Sequence, residues 1–229
     1  MSKLLIAIDG ACRRNGKPDC TASGGVFIQR YDDAGERTCT AVLSAYEYNS
    51  TNQRGELLAL LKALEYIYSA GTDALVVTDS EYIFNAMTKK WYDNWRHNNW
   101  CTRSGDPAKN KDIWLEIAHA ADKCDRADIE IIFYHIKGHC IPFGRVTADA
   151  SLDVDHTGAQ LHCLVCRKFD DVRASKTKVL EAASDLSKRN NGFELPLNAP
   201  FIKQWVTANV VADAIATKVV DAADIRRKT

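Results

Sequence analysis

The order of its apolar patterns is the feature of this sequence that most constrains the fold. Three β-prone stretches come first, at residues 4–8, 24–30 and 38–46. The turn-forming residues 32–35 stand between the last two, which predicts a three-stranded antiparallel meander. From Asn52 the apolar residues recur every three or four positions, so an amphipathic helix follows, and Gly71 ends it.

The rest of the pattern alternates strands and helices. It comprises strands at 74–78 and 129–136 and helices near 81–88 and 112–124. Strands joined by helical crossovers run parallel. We therefore expect an α/β fold in which a five-stranded mixed sheet, with three antiparallel strands and then two parallel ones, is flanked by helices.

The length of the chain predicts an insertion. At 229 residues it exceeds a typical single domain. We expect residues 1–139 and 201–229 to form one domain, with a last helix over 201–223. A partly helical insertion, with its own helix at 175–189, would then occupy residues 140–200.

Composition excludes several classes of protein. With 46% hydrophobic and 26% charged residues, the chain matches an ordinary globular protein and not a disordered one. No apolar run approaches the ~20 residues of a membrane span, and the apolar run before Asp9 is too short for a signal peptide, so we expect a cytoplasmic protein. Thirty basic residues balance thirty acidic ones, so any contact with a polyanion must be a local patch.

The eight cysteines are spread along the chain without a signal peptide, which favours free thiols. Only Cys163 and Cys166 form a CxxC pair. With His156 and His162 nearby they could bind zinc, but a single CxxC is also compatible with thiols packed in a helix.

Three acids are predicted to lie at one edge of the sheet. Asp9 and Asp79 each end a predicted strand, and Glu56 lies on the apolar face of the first helix. An aspartate at a strand end is also common as a turn or helix cap. Converging carboxylates repel, however, and such a cluster is stable with hard cations such as Mg²⁺ or Mn²⁺.

Six segments together resemble the type 1 ribonuclease H family, which hydrolyses the RNA strand of RNA–DNA hybrids. They are, in order, IAIDGACRRNG, TNQRGELLALLKAL, VVTDSEYI, KNKDIW, HIKGH and, near the C-terminus, NVVADAIA. The resemblance implies a metal-dependent endonuclease that uses two Mg²⁺ ions, or Mn²⁺ in their place, and leaves 5′-phosphate and 3′-hydroxyl ends. It gives Asp9, Glu56 and Asp79 as three of four metal-binding carboxylates, and His139 as a residue that assists proton movement or product release.

Two positions compete for the fourth carboxylate. Asp213 lies in NVVADAIA, one helical turn after Asn209, and requires the chain after His139 to loop out. Asp149 lies ten residues after His139, but Arg145 stands four residues before it where the family usually has Asn. We favour Asp213.

The resemblance also implies the residues that contact the hybrid. Asn15, Asn52 and Gln53 match positions that recognise 2′-hydroxyls, and Thr51 and Asn110 match a phosphate pocket. Two departures are Asn49, where that pocket often has an arginine, and Glu81, where a glutamine is frequent.

Residues 89–111 resemble the basic handle of the family, which binds the DNA backbone. The segment has six basic residues against two acidic ones and is rich in tryptophan. Its candidate contacts are Lys89, Lys90, Trp91, Trp95 and Arg96. We expect Trp114, just beyond it, to lie in the core.

Two other functions stay open. The same fold could serve a nuclease or resolvase for another structured nucleic acid. A non-catalytic hybrid-binding module would be expected to have lost an acid, but Asp9, Glu56 and Asp79 are all present. The expected partner is an RNA–DNA hybrid, and the sequence indicates neither a membrane nor an obligate protein partner.

Overall fold

A computed structural model describes residues 3–32, 34, 37–89, 91–136, 138 and 199–228 of the chain. Its elements are β1 (Lys3–Arg13), β2 (Thr21–Tyr31), β3 (Arg37–Tyr48), α1 (Asn52–Ala70), β4 (Ala74–Thr78), α2 (Glu81–Thr88), α3 (Trp91–His97), α4 (Lys111–Arg126), β5 (Ile131–His135) and α5 (Ala199–Lys228). Within this part of the chain no helix is both long enough and apolar enough to cross a bilayer.

The five strands form one mixed sheet in the order β3-β2-β1-β4-β5. The β1–β2 and β2–β3 pairs are antiparallel, and the β1–β4 and β4–β5 pairs are parallel. This arrangement confirms the predicted fold class. It also makes β1 the central strand, with hydrogen-bonded neighbours on both sides.

Helices α1 and α5 cover opposite faces of the sheet. A Cβ on Gly24 would lie 2.5 Å from the Ala59 nitrogen in α1, and a Cβ on Gly25 would lie 2.3 Å from the Ala212 oxygen in α5. Successive residues of a strand point to opposite faces, so these neighbouring glycines let both helices approach β2 closely.

The core lies mainly between α1, α4 and the sheet. Its largest fully buried side chains include Leu57, Leu60, Leu64, Ile67 and Trp114. The leucines and Ile67 follow the predicted helical period, and each such buried side chain contributes roughly 1.5–3 kcal/mol through burial.

Both ends of α1 are capped, and Gly71 ends the helix as predicted. The Thr51 hydroxyl accepts a hydrogen bond from the Arg54 nitrogen at 3.3 Å. At the other end Gly71 adopts the left-handed conformation, with a φ of 58°, and its N–H donates to two carbonyls of the last turn. The start of α1 is therefore fixed, and α1 is the helix that carries Glu56.

The expectation of free thiols is wrong for one pair of cysteines, because Cys12 and Cys20 form a disulfide. Arg13 pairs with Thr21 across the β1–β2 ladder, and the turn that connects the strands brings the two Cα atoms to 6.7 Å. That distance permits a disulfide. Cys101 and Cys124 are free.

Several predicted features lie outside the described residues. They are residues 140–198 of the expected insertion with its helix, Lys90, His139, Asp149, and the candidate zinc ligands Cys163, Cys166, His156 and His162, whereas residues 199 and 200 belong to α5, which begins before the expected residue 201.

Candidate active site

Asp9 and Asp79 lie side by side where the pairing of two parallel strands ends. The last pair of the β1–β4 ladder joins Ile8 to Thr78, and the next residue along each chain segment is an aspartate: Asp9 within β1 and Asp79 just after β4. Neighbouring parallel strands are about 4.8 Å apart, so the register itself brings the two acids close together.

Glu56 reaches the same edge from α1. A Cβ on Gly10 would lie 2.5 Å from the Glu56 nitrogen, so α1 packs tightly on β1 directly after Asp9. Two donors hold the carboxylate of Glu56: Asn52 Nδ2 donates to Oε1 at 3.2 Å, and the Ser80 hydroxyl donates to Oε2. Ser80 follows Asp79 directly in the sequence and connects α1 to the end of β4.

Asp213 reaches this edge from α5, on the other face of the sheet. Asp9 is paired with Gly25 across the β1–β2 ladder, and Gly25 is the glycine that packs against Ala212. The carboxyl group next to Ala212 therefore lies near Asp9, and its negative charge raises the pKa of Asp9.

The four acids interact strongly. Asp9 is only 7% exposed. Burial raises its pKa well above the usual value, the charges of Asp79, Asp213 and Glu56 add to that effect, and a hydrogen bond from the Gly10 N–H opposes it. Burial also raises the pKa of Glu56 to about 7, against the stabilising hydrogen bond from Ser80. Without a cation, the site disfavours full ionisation.

The donor chemistry of these four acids fits a hard divalent cation, because carboxylate oxygens are the ligands that Mg²⁺ and Mn²⁺ prefer. Among the described residues, however, no three His, Cys, Asp or Glu side chains already surround one point. The acids are near enough to raise the pKa of Asp9, but their side chains do not surround a common point as the ligands of a bound metal would.

Two residues next to Asp79, Gly138 and His135, are not predicted from the sequence as site residues. The Cα of Gly138 lies so close that a Cβ there would be 2.1 Å from Asp79 Oδ2. His135 is buried, with Nε2 3.2 Å from the Asp79 carbonyl oxygen and its ring stacked on Phe84. Gly138 belongs to the HIKGH motif, and this motif is the sequence signal that could have identified it as a site residue. Nothing in the sequence marks His135 as buried.

The residues predicted to contact 2′-hydroxyls and a phosphate lie around the start of α1. Asn15 Oδ1 accepts from the Asn52 nitrogen at 3.4 Å, and Asn110 Nδ2 donates to Gln53 Oε1 at 3.2 Å. Thr51 caps the same end of the helix. The β1–β2 turn, the start of α1 and the start of α4 thus form one polar surface beside Glu56.

The two departures from the family pattern also have defined contacts. Glu81 is exposed in the first turn of α2 and accepts from Asn85 Nδ2 at 3.4 Å. Asn49 lies just before α1, and its side-chain oxygen accepts a hydrogen bond from Arg227 at 2.6 Å. Arg227 was not predicted as a functional residue.

The candidate handle is partly exposed. Lys89 is exposed and Trp91 is 38% exposed, whereas Trp95 packs against Trp114, with ring centroids 5.5 Å apart. Trp114 is fully buried, as expected. Arg96 forms a salt bridge with Asp122.

Comparisons with known proteins agree with this geometry. The sequence matches the family model described as RNase H over residues 1–151. Ribonuclease H from Rickettsia felis is 33% identical over 166 residues, which are 72% of this chain and 98% of the relative. Ribonuclease H from Clostridium botulinum is 33% identical over 139 residues, which are 61% of this chain and 85% of the relative.

A similar solved structure is LC9-RNase H1, described as a type 1 RNase H with the type 2 active-site motif. It has a TM-score of 0.51 and 24% sequence identity, and the match covers 60% of this chain and 64% of that one. At this identity the likeness concerns the fold alone.

Proposed function

This chain belongs to the ribonuclease H family, and on that basis we propose that it is a metal-dependent endonuclease that cuts the RNA strand of RNA–DNA hybrids. The observation that carries the proposal is Asp9, a buried carboxylate whose pKa is raised by three further acids. A cluster of this kind, reached from two strands and two helices, has a chemical use when divalent cations neutralise it.

Asp9, Glu56, Asp79 and Asp213 would hold the cations. These residues would hold two Mg²⁺ or Mn²⁺ ions, and the chemistry that such ions would supply is activation of a water and stabilisation of the leaving 3′ oxygen, with 5′-phosphate and 3′-hydroxyl ends as products. The Ser80 hydroxyl and the Asn52 amide orient the Glu56 carboxylate.

His139 is proposed to assist proton movement or product release, since histidine titrates near neutral pH.

The polar surface at the start of α1 would recognise the RNA strand of the hybrid. Asn15, Asn52 and Gln53 are proposed to contact 2′-hydroxyls in the minor groove, because this group distinguishes RNA from DNA. Thr51 and Asn110 would contact a phosphate, and the handle at residues 89–111 would follow the DNA backbone.

The decisive experiment compares cleavage of an RNA–DNA hybrid, duplex RNA and duplex DNA, each with Mg²⁺ and with EDTA. We expect Mg²⁺-dependent cleavage of the hybrid alone. Asp79→Asn should abolish cleavage and leave hybrid binding within about tenfold, because phosphate contacts elsewhere carry most of the affinity. Cleavage of another structured nucleic acid in place of the hybrid would support the alternative nuclease, and binding without any cleavage would support a binding module.

The fourth acid is tested by a pair of variants. The effect of Asp213 on the pKa of Asp9 supports Asp213 as the ligand. We expect Asp213→Ala to abolish Mg²⁺-dependent cleavage and Asp149→Ala to retain it, once both variants are shown to fold. Loss of activity in the Asp149 variant alone would reverse the assignment.

A cytoplasmic location is also part of the proposal. The Cys12–Cys20 disulfide is unusual for that compartment, because cytosolic reductants rarely leave structural disulfides intact.

A further inference from the structure

The guanidinium of Arg227, near the end of α5, is held in a fixed position by neutral groups. Its Nη1 donates to the carbonyl oxygen of Asp19 at 2.9 Å, and its Nη2 donates to Asn49 Oδ1 at 2.6 Å. The group also lies over the ring of Tyr48, 5.4 Å from the centroid. The Tyr48 hydroxyl in turn donates to the Ala223 carbonyl of α5 at 3.2 Å, which keeps the ring and the helix together.

The neighbouring arginines are neutralised by acids. Arg13 pairs with Asp221, and Arg14 pairs with Asp224. Within the part of the chain that the structure describes, Arg227 forms no salt bridge. No described acid therefore pairs with its charge, and because a guanidinium has five N–H groups, further donors remain for a ligand.

Arg227 is connected to the acid cluster through Asn49, which accepts its hydrogen bond and lies close to Asn52 in the sequence. Asn49 precedes Asn52 by three residues, a span of at most about 11 Å, and the Asn52 side chain donates to Glu56. A nucleic-acid strand presents one phosphate for about every 3.4 Å of helix axis, so a duplex that lies on the acids has further phosphates on either side of them.

The surface around Arg227 suits a sugar–phosphate backbone. Tyr46 and Tyr48 are exposed and form an edge-to-face pair with ring centroids 5.5 Å apart. An arginine beside exposed aromatic faces is a common composition of nucleic-acid-binding surfaces, in which the cation contacts phosphate and the rings pack on sugars or bases.

We propose that Arg227 binds a backbone phosphate of the nucleic acid, so that α5 supplies a substrate contact at one end as well as an acid near its middle. The proposal rests on the proposed function, since it takes the bound duplex to be the substrate. Among the described residues Arg227 is held by neutral groups and forms no salt bridge, and a planar guanidinium is suited to phosphate oxygens.

The test measures binding of a fluorescein-labelled RNA–DNA hybrid by anisotropy in EDTA, over about 50–300 mM NaCl. We expect Arg227→Ala to weaken binding about three- to tenfold at the lowest salt and to reduce the slope of log K against log salt by about 0.7–0.9. Arg227→Lys keeps the charge and should restore most of the slope. Arg126→Ala is the matched control, because Arg126 is exposed at the far end of α4.

The outcomes separate this proposal from the proposed function, because binding is measured without cleavage. An unchanged salt slope in Arg227→Ala, while Lys89→Ala lowers it, would refute the phosphate contact even if the parent protein cuts hybrid normally. A slope lowered in Arg227→Ala but not in Arg126→Ala would support the contact even if the parent cuts no hybrid. A fall in melting temperature with an unchanged slope would assign Arg227 a structural role and overturn the proposal.

Discussion

Replacing Glu56 by glutamine is expected to stabilise the metal-free protein at neutral and alkaline pH while removing its activity. The pKa of Glu56 is raised from 4.5 to about 7. The folded state therefore binds a proton that the unfolded state releases between these two values, so the parent loses stability as the pH rises from about 4.5 to about 7.

The size of the effect follows from the same two values. One pKa unit corresponds to about 1.4 kcal/mol, so the full cost of ionising Glu56 is about 3 kcal/mol. The carboxylate retains some contact with water, and glutamine loses part of the hydrogen bonding to Ser80 and Asn52. We therefore expect Glu56→Gln to gain about 1–3 kcal/mol in free energy of unfolding at about pH 8.

The assay is urea unfolding in EDTA at several pH values. The advantage of Glu56→Gln should grow by roughly 2 kcal/mol between about pH 5 and about pH 8, and Mg²⁺ should remove it by stabilising the parent. Glu65→Gln is the control, since Glu65 is exposed on the same helix and pairs with Lys62. A Glu56 variant less stable than the parent at about pH 8, or a difference independent of pH, would refute the reasoning.

Three further outcomes are expected. Gly138→Ala should lower the rate of hybrid cleavage about tenfold or more with little change in binding, because its Cβ would displace the Asp79 carboxylate, and single-turnover kinetics would measure this. Lys89→Ala should flatten the salt dependence of hybrid binding by up to ~0.9 log unit. Arg96→Ala should not, because the Arg96 charge is already paired with Asp122, and equal salt slopes in the two variants would contradict this. Reduction of the disulfide in the β1–β2 turn should lower the free energy of unfolding by about 2–3 kcal/mol in urea titrations, and a variant with serine at both cysteines should not respond to reductant.

Much of the fold follows from local pattern. The β4 strand has the predicted bounds, and α1 begins at Asn52 and is capped by Gly71 as expected. These elements have a clear apolar pattern and are bounded by residues that favour turns or helix caps. The β1 strand is longer than its apolar run, extending through Arg13, because its ladder with β2 continues after the buried side chains end. Apolar patterning reports burial and does not detect such backbone pairing.

Contacts between distant segments were harder to predict. The sequence motifs indicated Asp9, Glu56 and Asp79, and the register of two parallel strands explains why the two aspartates are neighbours. The Cys12–Cys20 bond and the contact of Arg227 with Asn49 depend on how a turn closes and where α5 packs. Neither has a periodic signal in the sequence.

Packing of α5 on β2 ties the chemistry of this protein to the timing of its synthesis. Ser23 donates to the Ala216 carbonyl at 2.5 Å across a separation of 193 residues. Contacts of such long range form slowly relative to local ones, and domains generally begin to fold from the segment that is synthesised first. A nascent chain that has emerged only as far as β5 can pair its strands but lacks Asp213 and Arg227. Under the proposed assignment, a nascent chain that stops after β5 therefore cannot cut hybrids, and activity begins when α5 reaches the sheet.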